Sequence, residues 1–286
     1  MGNQKENLTL IRADLHLHTV YSDGEKTPLE LLSMLKKEGV QLFSFTDHDV
    51  SPDHNELSAL AREQGMTYIP GVEFTTYDRE QIHILGYGYK RTPAFLQRLA
   101  TIREQRERRN LKILSNLKKV GVEITPEEVD HNASGFYGTL QIIRAMVKKG
   151  YVPDYPAGMR DYFATDGPGY VGQERISPHE AVRLITQSGG VAVLAHPGKM
   201  KTFSLSEQKE MIATLKEEGL GGIECYYSSH TNLETARYLE WAKEFHLLPT
   251  VGSDFHGVER PEHVGNPKHF LTQAETERLC GKNSSI

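Results

Sequence analysis

Seven short apolar runs alternating with amphipathic helical segments predict an α/β fold, its strands parallel and its helices packed outside them. The runs cover residues 12–17, 41–46, 67–73, 81–87, 191–195, 222–227 and 247–253. Each has strand length and is mostly bounded by Gly, Pro, Asp or Ser. Residues 92–171 contain no such run and predict a helical insertion. The 286 residues thus divide into a first part of the α/β domain at 8–91, the insertion at 92–171 and a second part at 172–280.

The helices carry their own signals. Thr27-Pro28-Leu29-Glu30 reads as N-cap, first-turn proline and capping-box glutamate, with Gly39 as the stop. Ser51-Pro52 opens a second helix ending near Gly65, and Ser177-Pro178-His179-Glu180 a third ending at Gly189. Within the insertion, a helix runs from Pro93 to about Val120, its apolar face formed by Leu96, Leu99, Ile102, Leu114 and Leu117. Thr125-Pro126-Glu127-Glu128 starts another, residues 137–150 form a third, and the Pro-, Gly- and Tyr-rich residues 151–170 read as a connector.

Composition narrows the function classes. Apolar residues make up 38% and charged residues 25%, as in an ordinary globular chain. With 33 Lys+Arg against 38 Asp+Glu the net charge is -5, which excludes a generally basic nucleic-acid coat. No apolar run approaches the ~20 residues of a membrane span. The first residues, MGNQKENLTL, lack a signal-peptide pattern, and the only cysteines are Cys225 and Cys280. A cytoplasmic protein without a disulfide framework is expected.

The 13 histidines are the unusual feature. His16 and His18 share one face of the first strand, Leu15 and Leu17 the other, so both imidazoles can reach one metal ion. The second run ends in Asp47-His48-Asp49, the third in Glu73; the fourth opens into His83, the fifth ends in His196-Pro197 and the last in Asp254-Phe255-His256. The C-terminal ends of parallel strands are where α/β folds carry their sites. The donors are nitrogen and oxygen without thiolate, which suits Mn best, or Fe or Zn. They are too many for one ion, so two or three divalent ions are implied, with Glu73 able to bridge. Such clusters activate water and clamp a phosphoryl group, making phosphoester hydrolysis the leading chemistry. Asp47 and Asp49 are candidates for orienting neighbouring ligands. His54, His131, His179, His246, His263 and His269 fall outside the pattern and read as surface or packing residues.

The strings ADLHLHTVYSDG, FTDHD, GVEF, IHILGY, LAHPGK, YYSSHT and GSDFHG resemble the PHP (polymerase and histidinol phosphatase) family of metal-dependent phosphoesterases, from Ile11 to about Gly257. The insertion after IHILGY resembles the branch of 3′,5′-nucleoside bisphosphate phosphatases and a bacterial 5′-to-3′ exoribonuclease. The resemblance implies a distorted (β/α)7 barrel split by the helical insertion. It places His16, His18, Glu73 and Asp254 on a first metal, His83, His196 and again Glu73 on a second, and Asp23, His48 and His256 on a third. Branch members commonly carry Gly-Arg-Pro-His near the start of the last insertion helix. Here Gly138-Thr139-Leu140-Gln141 stands there, which implies either a different substrate or substitution by Arg144 or another cation.

Other candidates are weighed against plainer roles. Ser229 and His230 follow a predicted strand, where they would touch phosphate or, for His230, donate a proton; helix capping is the plainer role. Lys199 would bind a phosphate oxygen. In the run Arg98, Arg103, Arg106, Arg108, Arg109, Lys112, most cations read as a solvated helix face. Arg108, Arg109 and Asn110 are the candidates there for a second substrate phosphate. Glu73, Asp254, His196 and His230 form the candidate catalytic group. The expected substrate is a phosphomonoester of a small nucleotide, such as a nucleoside 3′,5′-bisphosphate. The alternatives are a short RNA 5′ end, a histidinol-phosphate-type substrate, and a non-catalytic metal-binding module; the sequence implies no membrane and no particular protein partner.

Overall fold

The computed structural model describes residues 10–135, 137–172, 174–257 and 262–280. The start of the expected 8–91 segment and most of MGNQKENLTL lie outside the described residues. The chain forms two compact units, Met1–Leu96 with Ile176–Ile286, and Gln97–Arg175. No described helix is long and apolar enough to cross a membrane.

In the first unit the elements are β1 (Leu10–Leu17), α1 (Pro28–Lys37), β2 (Leu42–Phe45), α2 (His54–Glu63), β3 (Thr67–Tyr68), β4 (Gly71–Tyr77) and β5 (Gln81–Tyr87). In the second unit, α3 (Pro93–Lys119), begun in the first, is followed by α4 (Thr139–Lys148) and α5 (Tyr155–Tyr162). The first unit resumes with α6 (Pro178–Gln187), β6 (Val191–Leu194), α7 (Leu205–Glu217), β7 (Leu220–Tyr227), α8 (Asn232–Glu244), β8 (Leu248–Gly252), β9 (His269–Thr272) and α9 (Gln273–Leu279).

The chain is mixed α/β, but its strands are not all parallel. They form a four-stranded sheet, β3-β2-β1-β9, and a five-stranded sheet, β4-β5-β6-β7-β8. β5 runs antiparallel to both β4 and β6. Only residues 78–80 link β4 to β5, and a link that short makes a hairpin. His83 therefore lies near the start of β5, opposite Thr75. Glu73 lies inside β4 and does not end a strand, because the expected 67–73 run breaks at Ile69-Pro70.

Among the described residues, continuous hydrogen-bonded ladders do not close the expected seven-stranded ring. The sheets meet through isolated parallel bridges, Leu17 with Phe255 and His48 with Glu73. Asp254 and Asp49, with φ of 57° and 53°, turn the backbone out of extended form beside these bridges, so neither ladder propagates. Both sheets still line one core: Ala13, Leu15 and Leu42 meet Leu85, Tyr87, Val193 and Leu248. Leu17 does not join Leu15 there. The β1–β2 register shifts between Asp14 and Leu17, and Leu17 packs with Leu31, Leu35 and Phe45.

Thr27 and Ser177 cap α1 and α6 as their sequences predict, whereas α2 is capped by Asp53, two residues later than Ser51. In the second unit Ile113, Leu114 and Leu117 pack with Ile142, Ile143 and Met146. The helix expected at Thr125 is a single 3-10 turn, Pro126–Glu128, because Val129 turns extended and buries its side chain in that core. The expected connector contains α5, capped by Asp154 and brought close to α4 at Gly158, where any Cβ would press on Ile143.

Candidate metal centre

The rims of both sheets of the first unit carry the site. The Asp254 N–H donates to the His16 carbonyl (2.8 Å) and the His18 N–H to the Phe255 carbonyl (3.0 Å), which sets the ends of β1 and β8 side by side. Asp47 then fixes the turn after His18, accepting from the Thr19 N–H (2.9 Å), the Thr19 hydroxyl (2.8 Å) and the Ser22 hydroxyl (2.6 Å). That turn delivers Asp23, whose Oδ1 lies 3.3 Å from His256 Nε2 and 3.9 Å from His48 Nε2. Asp49 accepts from the Thr75 N–H (3.1 Å) and braces β4.

Glu73 is fully buried at the centre. Its Oε1 lies 2.7 Å from His83 Nδ1 and 3.2 Å from both His16 Nε2 and His196 Nε2. Its Oε2 lies 3.0 Å from His48 Nδ1 and 3.2 Å from His18 Nε2. Asp254 Oδ1 lies 3.3 Å from both His16 Nε2 and His18 Nε2. Three overlapping donor groups result: His16, His18, Glu73 and Asp254; His48, Glu73 and His83; His18, Asp23, His48 and His256. Within each, the ligand atoms lie within 4.8 Å of one another. All nine sequence-derived metal candidates thus come to one place, with His196 joining through Glu73.

The charges respond to this crowding. Burial would raise the Glu73 carboxyl, but the imidazoles of His83, His16 and His48 hold it well below the ordinary range. Asp254 is likewise held low against its burial, chiefly by His16 and His18. Burial lowers His83 to about 3, so its ring is neutral and its lone pair available. His16 Nε2, His18 Nε2 and Glu73 Oε2 are buried without a hydrogen bond. Buried polar atoms seldom stay unbonded, and these three converge on shared points. Neutral imidazoles and anionic carboxylates around such points fit divalent cations, and the donor set, free of thiolate, fits Mn, Fe or Zn.

The remaining candidates have other partners. Lys199 Nζ lies 2.7 Å from Asp254 Oδ2, and the Tyr227 hydroxyl donates to the same oxygen at 3.0 Å. The Lys199 side chain stays half exposed. Both His230 nitrogens meet backbone: Nδ1 at the Cys225 carbonyl (3.1 Å), Nε2 at the Gly198 N–H (3.2 Å). Thr231 caps α8, and Ser229 is exposed. In the second unit Arg109 bonds the Val171 carbonyl (2.9 Å) and Thr139 (3.4 Å), and Asn110 is buried against the Tyr137 carbonyl (2.6 Å). Arg108 is exposed, 3.9 Å from Glu104. Gln141 caps α4 at the Gly138 N–H (2.9 Å), so Thr139 and Gln141 have local roles.

Two buried carboxylates escaped the sequence reading. Asp14 accepts from the Ser253 N–H (2.9 Å) and the Gly265 N–H (2.8 Å), and burial raises it to about 6. Glu224, fully buried in β7, reaches His16 and His196. A lone acid between Ile223 and Cys225 in an apolar run was the available signal.

A family model for the PHP domain matches residues 14–161. The phosphoribosyl 1,2-cyclic phosphate 1,2-diphosphodiesterase of Eggerthella lenta is 32% identical, covering 88% of this chain and 97% of the relative. The 5′-3′ exoribonuclease of Haemophilus influenzae is 30% identical, covering 85% and 89%. The 3′,5′-nucleoside bisphosphate phosphatase of Chromobacterium violaceum is also 30% identical, covering 85% and 86%. Among solved structures, one from Bifidobacterium adolescentis assigned as a metal-dependent phosphoesterase superposes with a TM-score of 0.81 at 26% identity, covering 95% of this chain and 96% of that one.

Proposed function

The chain belongs to the PHP family of metal-dependent phosphoesterases, and from that premise we propose that it hydrolyses a phosphate ester on a ribose carrying a second phosphate, a nucleoside 3′,5′-bisphosphate being the leading substrate. The observation that carries this reading is Glu73, one carboxylate facing five imidazoles and shared by two of the three donor groups. We read β1, β2 and β4–β8 as one distorted seven-stranded β/α barrel whose two seams are the isolated bridges, with β3 and β9 added at the flanks.

His16, His18, Glu73 and Asp254 would hold one ion, His83, His196 and Glu73 a second, and Asp23, His48 and His256 a third. Such ions, Mn for preference, supply a water made nucleophilic at neutral pH and positive charge against the reacting phosphoryl oxygens. The protein's own groups do the rest. Lys199, anchored on Asp254, holds its ammonium at the edge of the cluster, where it binds a phosphate oxygen. His230 keeps the Gly198 backbone in place under that lysine. We assign substrate selection to residues 92–171, in which Arg108 points its guanidinium to solvent.

The ester class is the open choice. The three relatives are named for a phosphoribosyl cyclic phosphate, for exoribonuclease action and for a nucleoside bisphosphate, and the cyclic phosphate of the Eggerthella relative supports a second reading. Mn-loaded protein is incubated with a nucleoside 3′,5′-bisphosphate, a phosphoribosyl 1,2-cyclic phosphate and a 5′-phosphorylated RNA pentamer. An EDTA-treated sample is the control, and products are identified by mass spectrometry. Release of inorganic phosphate from the bisphosphate supports the leading reading. Ring opening alone selects the cyclic diester, stepwise loss of 5′ nucleotides selects the nuclease, and inertness towards all three overturns the proposal.

A further inference from the structure

We infer that Glu224 is a positioning residue that aligns two of the proposed ligands at once, the ring of His16 and the backbone of His196. Its Oε1 lies 3.0 Å from His16 Nδ1, and its Oε2 accepts from the His196 N–H at 2.8 Å. With Nδ1 donating to Glu224, the His16 lone pair is left on Nε2, the atom that faces Glu73 and Asp254. The assignment rests on the metal-centre reading above and deepens it.

The second bond meets a different need. His196 has φ 25° and ψ 61°, a conformation that side-chain-bearing residues rarely adopt. Strain of this kind persists only where surrounding contacts hold it. In that conformation its Nε2 reaches Glu73 Oε1 at 3.2 Å. The Glu224 carboxylate is the contact that holds the strained N–H, so the aim of the His196 ring depends on it.

The fold makes room for this arrangement. Gly252 ends β8 against the pair, and any Cβ there would collide with His16 Cβ and Glu224 Oε1. Both partners of Glu224 are donors. Only a group with two acceptor oxygens satisfies both, which excludes glutamine: its single acceptor serves one and its amide N–H faces the other. Aspartate keeps two acceptors but is one methylene short of reaching both.

The test measures Mn binding to metal-free wild-type, Glu224→Gln and Glu224→Asp protein by electron paramagnetic resonance of free Mn. Thermal melts of the metal-free proteins and kcat and KM in excess Mn accompany it. Loss of the pair is expected to weaken Mn binding about 10- to 100-fold. The metal-free melts should fall through the buried donor left unpaired, so Mn affinity is read on the folded fraction, where a merely structural residue would leave it intact; much of kcat should return in excess Mn. Wild-type affinity in a folded Glu224→Gln protein overturns the inference. If that variant does not fold, Glu224→Asp decides: unchanged affinity overturns the inference, and a loss supports it. If wild-type protein binds no Mn, the metal-centre reading itself falls and this assignment falls with it.

Discussion

Replacing His54 with glutamine should remove an acid-sensitive component of stability whose size follows from its surroundings. His54 opens α2 and is buried, with Nδ1 3.1 Å from the Tyr68 hydroxyl and Nε2 3.0 Å from the Tyr89 hydroxyl. Tyr89 in turn donates to the Gly71 carbonyl at 3.0 Å, two residues before Glu73. Burial, reinforced by Arg91, lowers the imidazole from 6.5 to about 4. As pH falls below 6.5 the unfolded chain takes up a proton that the folded chain refuses until about 4. Stability is therefore complete above 6.5 and is lost as pH falls towards 4. The full difference is about 3 kcal/mol, of which about 2 kcal/mol is lost between pH 7 and pH 5. Urea melts in EDTA at pH 7, 6 and 5 measure it, because every other group is common to both proteins and only His54 differs. The stability advantage of wild type over His54→Gln should shrink by about 2 kcal/mol across that range. A gap that stays constant or widens refutes the reasoning.

Glu73→Gln or His196→Ala should abolish turnover while the metal-free melt stays near wild type; full activity in either variant would exclude the proposed mechanism. Adding Mn at about a hundred times its dissociation constant should stabilise the metal-free protein by about 2.7 kcal/mol per site, and EDTA should reverse it. An unchanged melting temperature would count against the site. Lys199→Met should lower kcat/KM about 10- to 100-fold through KM, the loss of one charged phosphate contact, as initial rates over substrate concentration will show. Asn110→Ala should destabilise the protein by about 1 kcal/mol because it removes the buried hydrogen bond that the Asn110 amide donates to the Tyr137 carbonyl. Chemical denaturation reads that loss, and an unchanged midpoint would contradict it.

What was legible in the chain was whatever local spacing encodes. Alternation in β1 put His16 and His18 within reach of each other, and strand-end placement brought His196 and Asp254 to them, whereas Glu73 comes from inside β4 and His83 from near the start of β5. Capping boxes located α1 because Thr27 and Glu30 satisfy each other within three residues. What escaped depends on distant partners. Nothing local tells that Glu224 meets His16, 208 positions away. β9 is four residues long and gains its definition by pairing with β1. The direction of β5 followed from the shortness of its link to β4, which the run of parallel strand–helix units obscured. In the insertion, Arg109 and Asn110 looked free for substrate because their acceptors, the Val171 and Tyr137 carbonyls, are backbone atoms.

The antiparallel pairing of β5 with β6, in which Tyr87 sits opposite Val191, makes residues 88–190 the loop of one hairpin. The register of that hairpin is set by buried side chains such as Leu85 and Val193, not by a tight turn. Closing a loop costs entropy only logarithmically in its length. Within that loop, residues 97–175, which form the second unit, can therefore lengthen, shorten or be exchanged at small cost to β4, β5 and β6, whereas α6 packs on those strands and stays with them. Such a hairpin separates the pace at which the two parts of the chain can change: the histidine-bearing rim stays fixed by packing while the second unit is free to diversify.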